Sequence, residues 1–92
     1  MIGFVELEFR IYDAHSLKEK RAVLQRILTR LRQKFNISVA ETGQQDVWQL
    51  SGISLVTVSS SRQVAERELE RAIKFLDSFP EWERIDTKYE WF

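Results

Sequence analysis

Ile53-Ser54-Leu55-Val56-Thr57-Val58 is the stretch on which the fold turns. Its apolar residues fall on both parities, the pattern of a strand inside a sheet with cover on both faces. Such a strand needs neighbours, and the flanking sequence supplies them. Upstream the strand reaches back to Trp48, with an interruption expected near Gly52. Gly43-Gln44-Gln45-Asp46-Val47 is a connection of hairpin length. Before it, Asn36 to Thr42 reads as a second strand with Ile37 and Val39 inward. Near the start, Val5, Leu7, Phe9 and Ile11 alternate with Glu6, Glu8 and Arg10, which makes a first strand with one buried face. Near the end, Ile85, Thr87, Tyr89 and Trp91 alternate within Glu83–Trp91 and make a last one.

Two helices complete the order. Ser16-Leu17-Lys18-Glu19 is a capping box, with the Glu19 carboxylate expected to close back on the Ser16 amide. The helix runs to about Lys34, with Leu17, Leu24, Ile27, Leu28, Leu31 and Phe35 on one stripe and Val23 at its edge. Ser60-Ser61-Arg62-Gln63 reads as a second box, with Gln63 in the closing role. Its helix runs to about Ser78 on an inner stripe of Ala65, Leu69, Ala72, Ile73 and Leu76, and Phe79-Pro80 stops it. The sum is β-α-β-β-α-β. This is the α+β, ferredoxin-like arrangement: an antiparallel four-stranded sheet with both helices on one face, as a single domain over residues 1–92.

Composition narrows the function. With 43% hydrophobic and 30% charged residues the chain has enough apolar surface to fold. It has no Cys, which excludes disulfides, thiolate metal sites and a Cys nucleophile. No run of about 18 apolar residues offers a membrane span, and Glu6 and Glu8 come too early for a signal peptide. A cytoplasmic protein with no membrane association and no cofactor is expected.

Charge is the strongest functional signal. Formal net charge is zero. Yet residues 16–34 hold Lys18, Lys20, Arg21, Arg26, Arg30, Arg32 and Lys34 against Glu19 alone. Field concentrated on one element steers an anionic partner even when the whole is neutral. On a helical wheel Lys18, Arg21, Gln25 and Arg32 lie on one flank of the apolar stripe, Arg26 and Arg30 on the back, and Lys20 and Lys34 on the opposite flank. Lys18, Lys20, Arg21, Arg30, Arg32 and Lys34 are the candidate phosphate contacts, with Arg26 weaker. The plain alternative is a solvated face whose stems cover apolar surface. The scarcity of acids argues against it, because an ordinary solvated face mixes signs, as residues 66–77 do.

The aromatic residues suggest partners. Phe4 and Tyr12 point to the open sheet face, but the third strand adds no aromatic there. Base stacking across the sheet, as in RNA-recognition modules, is therefore not expected. The extra apolar face of the third strand instead suggests a covering partner, most simply a second copy, hence a homodimer. Trp48, Trp91 and Phe92 are candidate partner anchors, whereas Trp82 reads as core. His15 beside Asp13 lacks a nucleophile and reads as a loop residue near a cap. Glu6, Glu8, Glu41 and Asp46 have no metal-loop spacing and read as solvated or ion-paired. No phosphate-binding Gly-rich loop is present, so no enzymatic activity is expected.

Three blocks carry a family resemblance: Ser16-Leu17-Lys18-Glu19-Lys20-Arg21, Arg30-Leu31-Arg32-Gln33-Lys34-Phe35-Asn36-Ile37-Ser38-Val39-Ala40-Glu41, and Asp46-Val47-Trp48-Gln49. Together they resemble the bacterial YlxP-like family, a domain-of-unknown-function family of about this length. The resemblance implies a ferredoxin-like fold and no established activity. The family's genomic setting beside translation-initiation and ribosome-maturation genes in some bacteria implies work on RNA or the ribosome. The expectation is a non-enzymatic RNA- or ribosome-associated binding protein using the first helix. The alternative is a dimeric protein–protein or regulatory module that binds an acidic partner.

Overall fold

In the computed structural model, which describes residues 1–92, the six elements follow the expected order. They are β1 (Ile2–Ile11), α1 (Leu17–Lys34), β2 (Ser38–Gly43), β3 (Leu50–Val58), α2 (Arg62–Asp77) and β4 (Trp82–Trp91). The sheet order is β2-β3-β1-β4 and every neighbouring pair is antiparallel. This is the ferredoxin-like α+β fold, with α1 and α2 on one sheet face.

Strand parity builds the core. Val5, Leu7, Phe9 and Ile11 of β1 and Ile53 and Leu55 of β3 are buried beneath Leu24, Ile27 and Leu31 of α1 and Leu69, Ala72 and Leu76 of α2. Trp82 is part of this core. Its ring stacks on Phe9 at 3.8 Å, and its Nε1–H donates to the Leu76 carbonyl at 2.8 Å. A register shift in β4, opposite Glu8 and Phe9, makes that possible. The expected alternation holds from Trp91 back to Thr87 and then breaks. Ile85 is exposed, and Trp82, opposite Ile11, turns inward.

Other boundaries move for local reasons. A second register shift between Glu41 and Gly43 sets Gly43 opposite Gly52, the irregularity expected there. A Cβ on Gly52 would stand 2.8 Å from the Gly43 Cα, so glycine is what lets the two backbones approach. β3 begins at Leu50 rather than Trp48, because Gln44–Gln49 form a loop. Tyr12 lies beyond the end of β1 rather than on its open face. At α1, the Ser16 Oγ accepts the Glu19 amide at 3.1 Å, but the Glu19 carboxylate takes the His15 amide at 2.6 Å instead of that of Ser16. At α2 the cap is Ser61, not Ser60: its Oγ accepts the Val64 amide at 3.2 Å. Gln63 closes nothing, because with Ser61 as the cap the closing position falls on Val64; the Ser61 amide is met instead by the Ser59 Oγ at 3.3 Å.

The second face of β3 is covered only in part. Ser54 is buried and bonded to the Thr42 hydroxyl of β2, Val56 is half-buried, and Val58 is 62% exposed. No helix is long and apolar enough to cross a membrane.

Candidate nucleic-acid interface

α1 buries Leu24, Ile27, Leu28 and Leu31, so its remaining positions form a solvent face 18 residues long, or about 27 Å. The cations on that face are in three situations. Lys18, Arg21 and Arg30 are exposed and form no ion pair or side-chain hydrogen bond. Arg32 and Lys34 are exposed but held: one Arg32 Nη donates to the Val39 carbonyl at 3.1 Å, and the Lys34 Nζ lies 5.0 Å from the Phe75 ring centroid. Arg26 is paired with Glu81 at 2.6 Å. The Arg26 hydrogen bond holds the Glu81 carboxyl below its ordinary range despite some opposing desolvation.

Lys20 is withdrawn from the set. It is 1% exposed, and its ammonium meets three oxygens: Glu41 Oε2 at 2.8 Å, the Gln44 carbonyl at 2.6 Å and the Val47 carbonyl at 2.7 Å. Three donors meet three acceptors, so nothing remains for a phosphate. Ser51 Oγ donates to the same Glu41 oxygen at 2.7 Å. The position follows from helix geometry. Leu24 and Ile27 lie four and seven residues on, so Lys20 belongs to the buried stripe and not to a flank.

One cation outside α1 joins the surface. The Arg71 guanidinium of α2 lies 5.7 Å from the Phe35 ring centroid, over the same ring that Lys34 approaches. Residues 66–77 mix signs, so the sequence did not single Arg71 out. Only the antiparallel packing of the helices brings it beside the end of α1.

The opposite face of the molecule is unlike this one. A shallow cavity of about 210 Å³ on the open sheet face is lined by Glu6, Glu8, Thr42, Gln44, Asp86 and Lys88 among others. No group of three or more His, Cys, Asp or Glu side chains is arranged to hold a metal ion. Its carboxylates repel anions, which leaves the helix layer as the surface suited to phosphate. His15 is exposed beside the α1 cap, and its backbone amide donates to the Glu19 carboxylate.

The three candidate anchors do not share a surface. Trp48 is 50% exposed in the β2–β3 loop. Trp91 is at the other end of the sheet, opposite Gly3. It packs against the core with Arg62 over its ring at 4.7 Å, so much of it is occupied within its own fold. Phe92 is 68% exposed, and its backbone pairs with Ile2 in both directions. Met1, Ile2 and Val58 are exposed at that same corner.

Comparison with known proteins agrees with this chain architecture. Residues 2–89 match the family described as "Protein of unknown function (DUF503)". The chain is 60% identical to the "Uncharacterized protein YlxP" of Bacillus subtilis (strain 168) across the full length of both. Among solved structures it is similar to "De novo designed protein Foldit4", with a TM-score of 0.60, 15% identity and coverage of 100% and 99% of the two chains. That likeness concerns the fold alone.

Proposed function

The chain belongs to the DUF503 family, whose description assigns no activity, and from its surface we propose that it is a non-enzymatic binding protein for the phosphate backbone of structured RNA, ribosomal RNA included. One observation supports this above others. Lys18 and Arg21 stand exposed and without acid partners along one helix, Arg30 stands exposed beside Glu81, whose carboxyl its charge helps to hold below the ordinary range, and the acids of the open sheet face lie on the other side of the molecule. Arg32 and Lys34 extend the track, as does Arg71, which shares its charge with Glu68 at 3.9 Å. Such a surface reads shape and backbone rather than sequence.

The test is a titration of a structured ribosomal RNA fragment and a matched DNA duplex at about 50 and about 200 mM salt. The wild type binds the RNA in the micromolar range or tighter and loses affinity steeply with salt. The triple variant Lys18→Gln, Arg21→Gln, Arg30→Gln loses roughly 0.7 to 0.9 of logarithmic salt slope for each contact removed. No binding at the lower salt, or an unchanged slope in the variant, refutes the proposal.

A second reading is supported by the corner of Met1, Ile2, Val58 and Phe92. An exposed apolar cluster of this kind suits self-association into a homodimer. Sedimentation of the wild type against Val58→Lys tests it: a dimer that the substitution converts to monomer supports the reading, and a monomeric wild type refutes it.

A further inference from the structure

We infer that Trp48 is a stacking platform for one unpaired base of the bound RNA, beside phosphates held by Lys18 and Arg21. The inference rests on the RNA-binding reading and adds a substrate feature to it: an unpaired nucleotide next to the helical segment.

The argument begins with a tryptophan that the fold does not use. Trp48 is half exposed and takes part in none of the four aromatic pairs of the structure. An exposed ring on a mobile loop would mean little, but the residues on either side of this one are fixed. On one side the Val47 carbonyl accepts from the buried Lys20 ammonium at 2.7 Å, and the Val47 amide donates to the Gln44 carbonyl at 3.2 Å. On the other, the Gln49 carbonyl accepts the Ile11 amide at 2.9 Å, and the Gln49 side chain donates to the Ala14 carbonyl at 3.3 Å. A ring carried on a backbone fixed at both neighbours costs little loop ordering when a base settles on it.

The same contacts set its neighbourhood. Lys20 belongs to the first turns of α1, so the loop is tied against the part of the helix that carries Lys18 and Arg21. A flat aromatic face at the same end of the molecule as unpaired cations is the combination that holds single-stranded nucleic acid: the ring takes a base and the cations take its phosphates. Stacking is indifferent to base identity, so the preference is for an unpaired nucleotide rather than for a sequence. Asp46, exposed in the same loop, opposes the phosphates through its charge and supplies an internal control.

The experiment uses two RNAs in fluorescence anisotropy: a blunt hairpin, and the same hairpin with a short unpaired 3′ extension. The wild type binds the extended hairpin about tenfold more tightly, within the range of roughly 5- to 150-fold that one stacked base contributes. Trp48→Ala abolishes that preference and leaves the blunt hairpin's affinity unchanged, whereas Trp48→Phe keeps most of it. Asp46→Asn tightens both RNAs alike, because a charge effect does not distinguish them. Equal wild-type affinity for the two hairpins, or a preference that survives Trp48→Ala, overturns the inference and leaves the helix track standing. Unaltered RNA binding by Trp48→Ala, with loss of a protein contact instead, also overturns it. Failure of the wild type to bind either hairpin overturns the RNA-binding reading and the inference together. A melting temperature for Trp48→Ala equal to the wild type's excludes misfolding as the cause.

Discussion

Replacing Lys20 with methionine is the most informative single perturbation of this fold. The stem volume is kept and the ammonium is lost. Glu41, whose side chain is 19% exposed, is then left with the Ser51 hydroxyl as its one side-chain donor, and the carbonyls of Gln44 and Val47 lose theirs. Removing one partner of a buried ion pair costs about 3–5 kcal/mol. The partial exposure of Glu41 lets water approach, so the lower figure of about 3 kcal/mol applies. A domain of this size has roughly 5–14 kcal/mol in total. The loss corresponds to a fall in Tm of about 12–24 °C, which urea denaturation and thermal circular dichroism at neutral pH both read. The double variant Lys20→Met, Glu41→Leu no longer strands a carboxylate. It recovers part of the loss, because the stranded carboxylate is gone while the two loop carbonyls and the buried Ser51 hydroxyl remain without partners. A single variant within about 0.5 kcal/mol of wild type, or a double variant whose losses simply add, refutes the claim that the three oxygens depend on this lysine.

Three further perturbations test separate parts of the structure. Gly52→Ala sets a Cβ 2.8 Å from the Gly43 backbone and destabilises by about 1–3 kcal/mol in chemical denaturation, whereas an equal or more stable protein contradicts the close approach at the bulge. Ser61→Ala costs about 1 kcal/mol through loss of the α2 cap, while Ser60→Ala stays within about 0.5 kcal/mol of wild type, and the reverse ranking restores the cap to Ser60. Glu81→Gln costs about 0.5 kcal/mol at neutral pH, as befits a partly exposed, solvent-screened pair. Because Arg26 lowers the Glu81 pKa, the wild-type advantage is present above the ordinary glutamate value of about 4.3 and fades as pH falls below it, so stability curves of the two proteins converge in acid.

The strands and helices were legible because parity and the 3.6-residue stripe are local signals. Ile53 to Val58 announced a central strand, and Val5 to Ile11 a half-buried one. What escaped depended on relations across the chain. The β4 bulge flips the parity of Trp82 and Arg84 relative to Thr87, and nothing within Glu83–Trp91 marks it. Ser60 and Ser61 are equivalent caps by residue type, and only the helix start at Arg62 selects Ser61. Lys20 is the instructive case. Charge assigned it to solvent, although its spacing to Leu24 and Ile27 placed it in the core. Glu41 shares the parity of Val39, and Ser51 that of Ile53, so all three members of the buried network were on inward positions. A charged side chain sits on an inward position when the fold brings it its own partners. The candidate site was legible as a helix with excess cations. Its sorting into free, held and buried members was not, because Glu81, Phe75 and the Val39 carbonyl come from elsewhere in the chain.

The pairing of Ile2 with Phe92 has a mechanical consequence. β1 and β4 are antiparallel neighbours, so both ends of the chain leave from one corner of the sheet. Tension applied between those ends does not shear the ladder, in which case all its hydrogen bonds would resist at once. It opens the ladder like a zipper, one pair at a time, starting from the two bonds between Ile2 and Phe92. Each step gives up only about 1 kcal/mol per bond. The tryptophans then mark progress: Trp91 comes free early and Trp82 last. A machine that pulls on the β4 end therefore meets a low and nearly constant resisting force, and β4, an edge strand, peels away before α1 and its cations are disturbed.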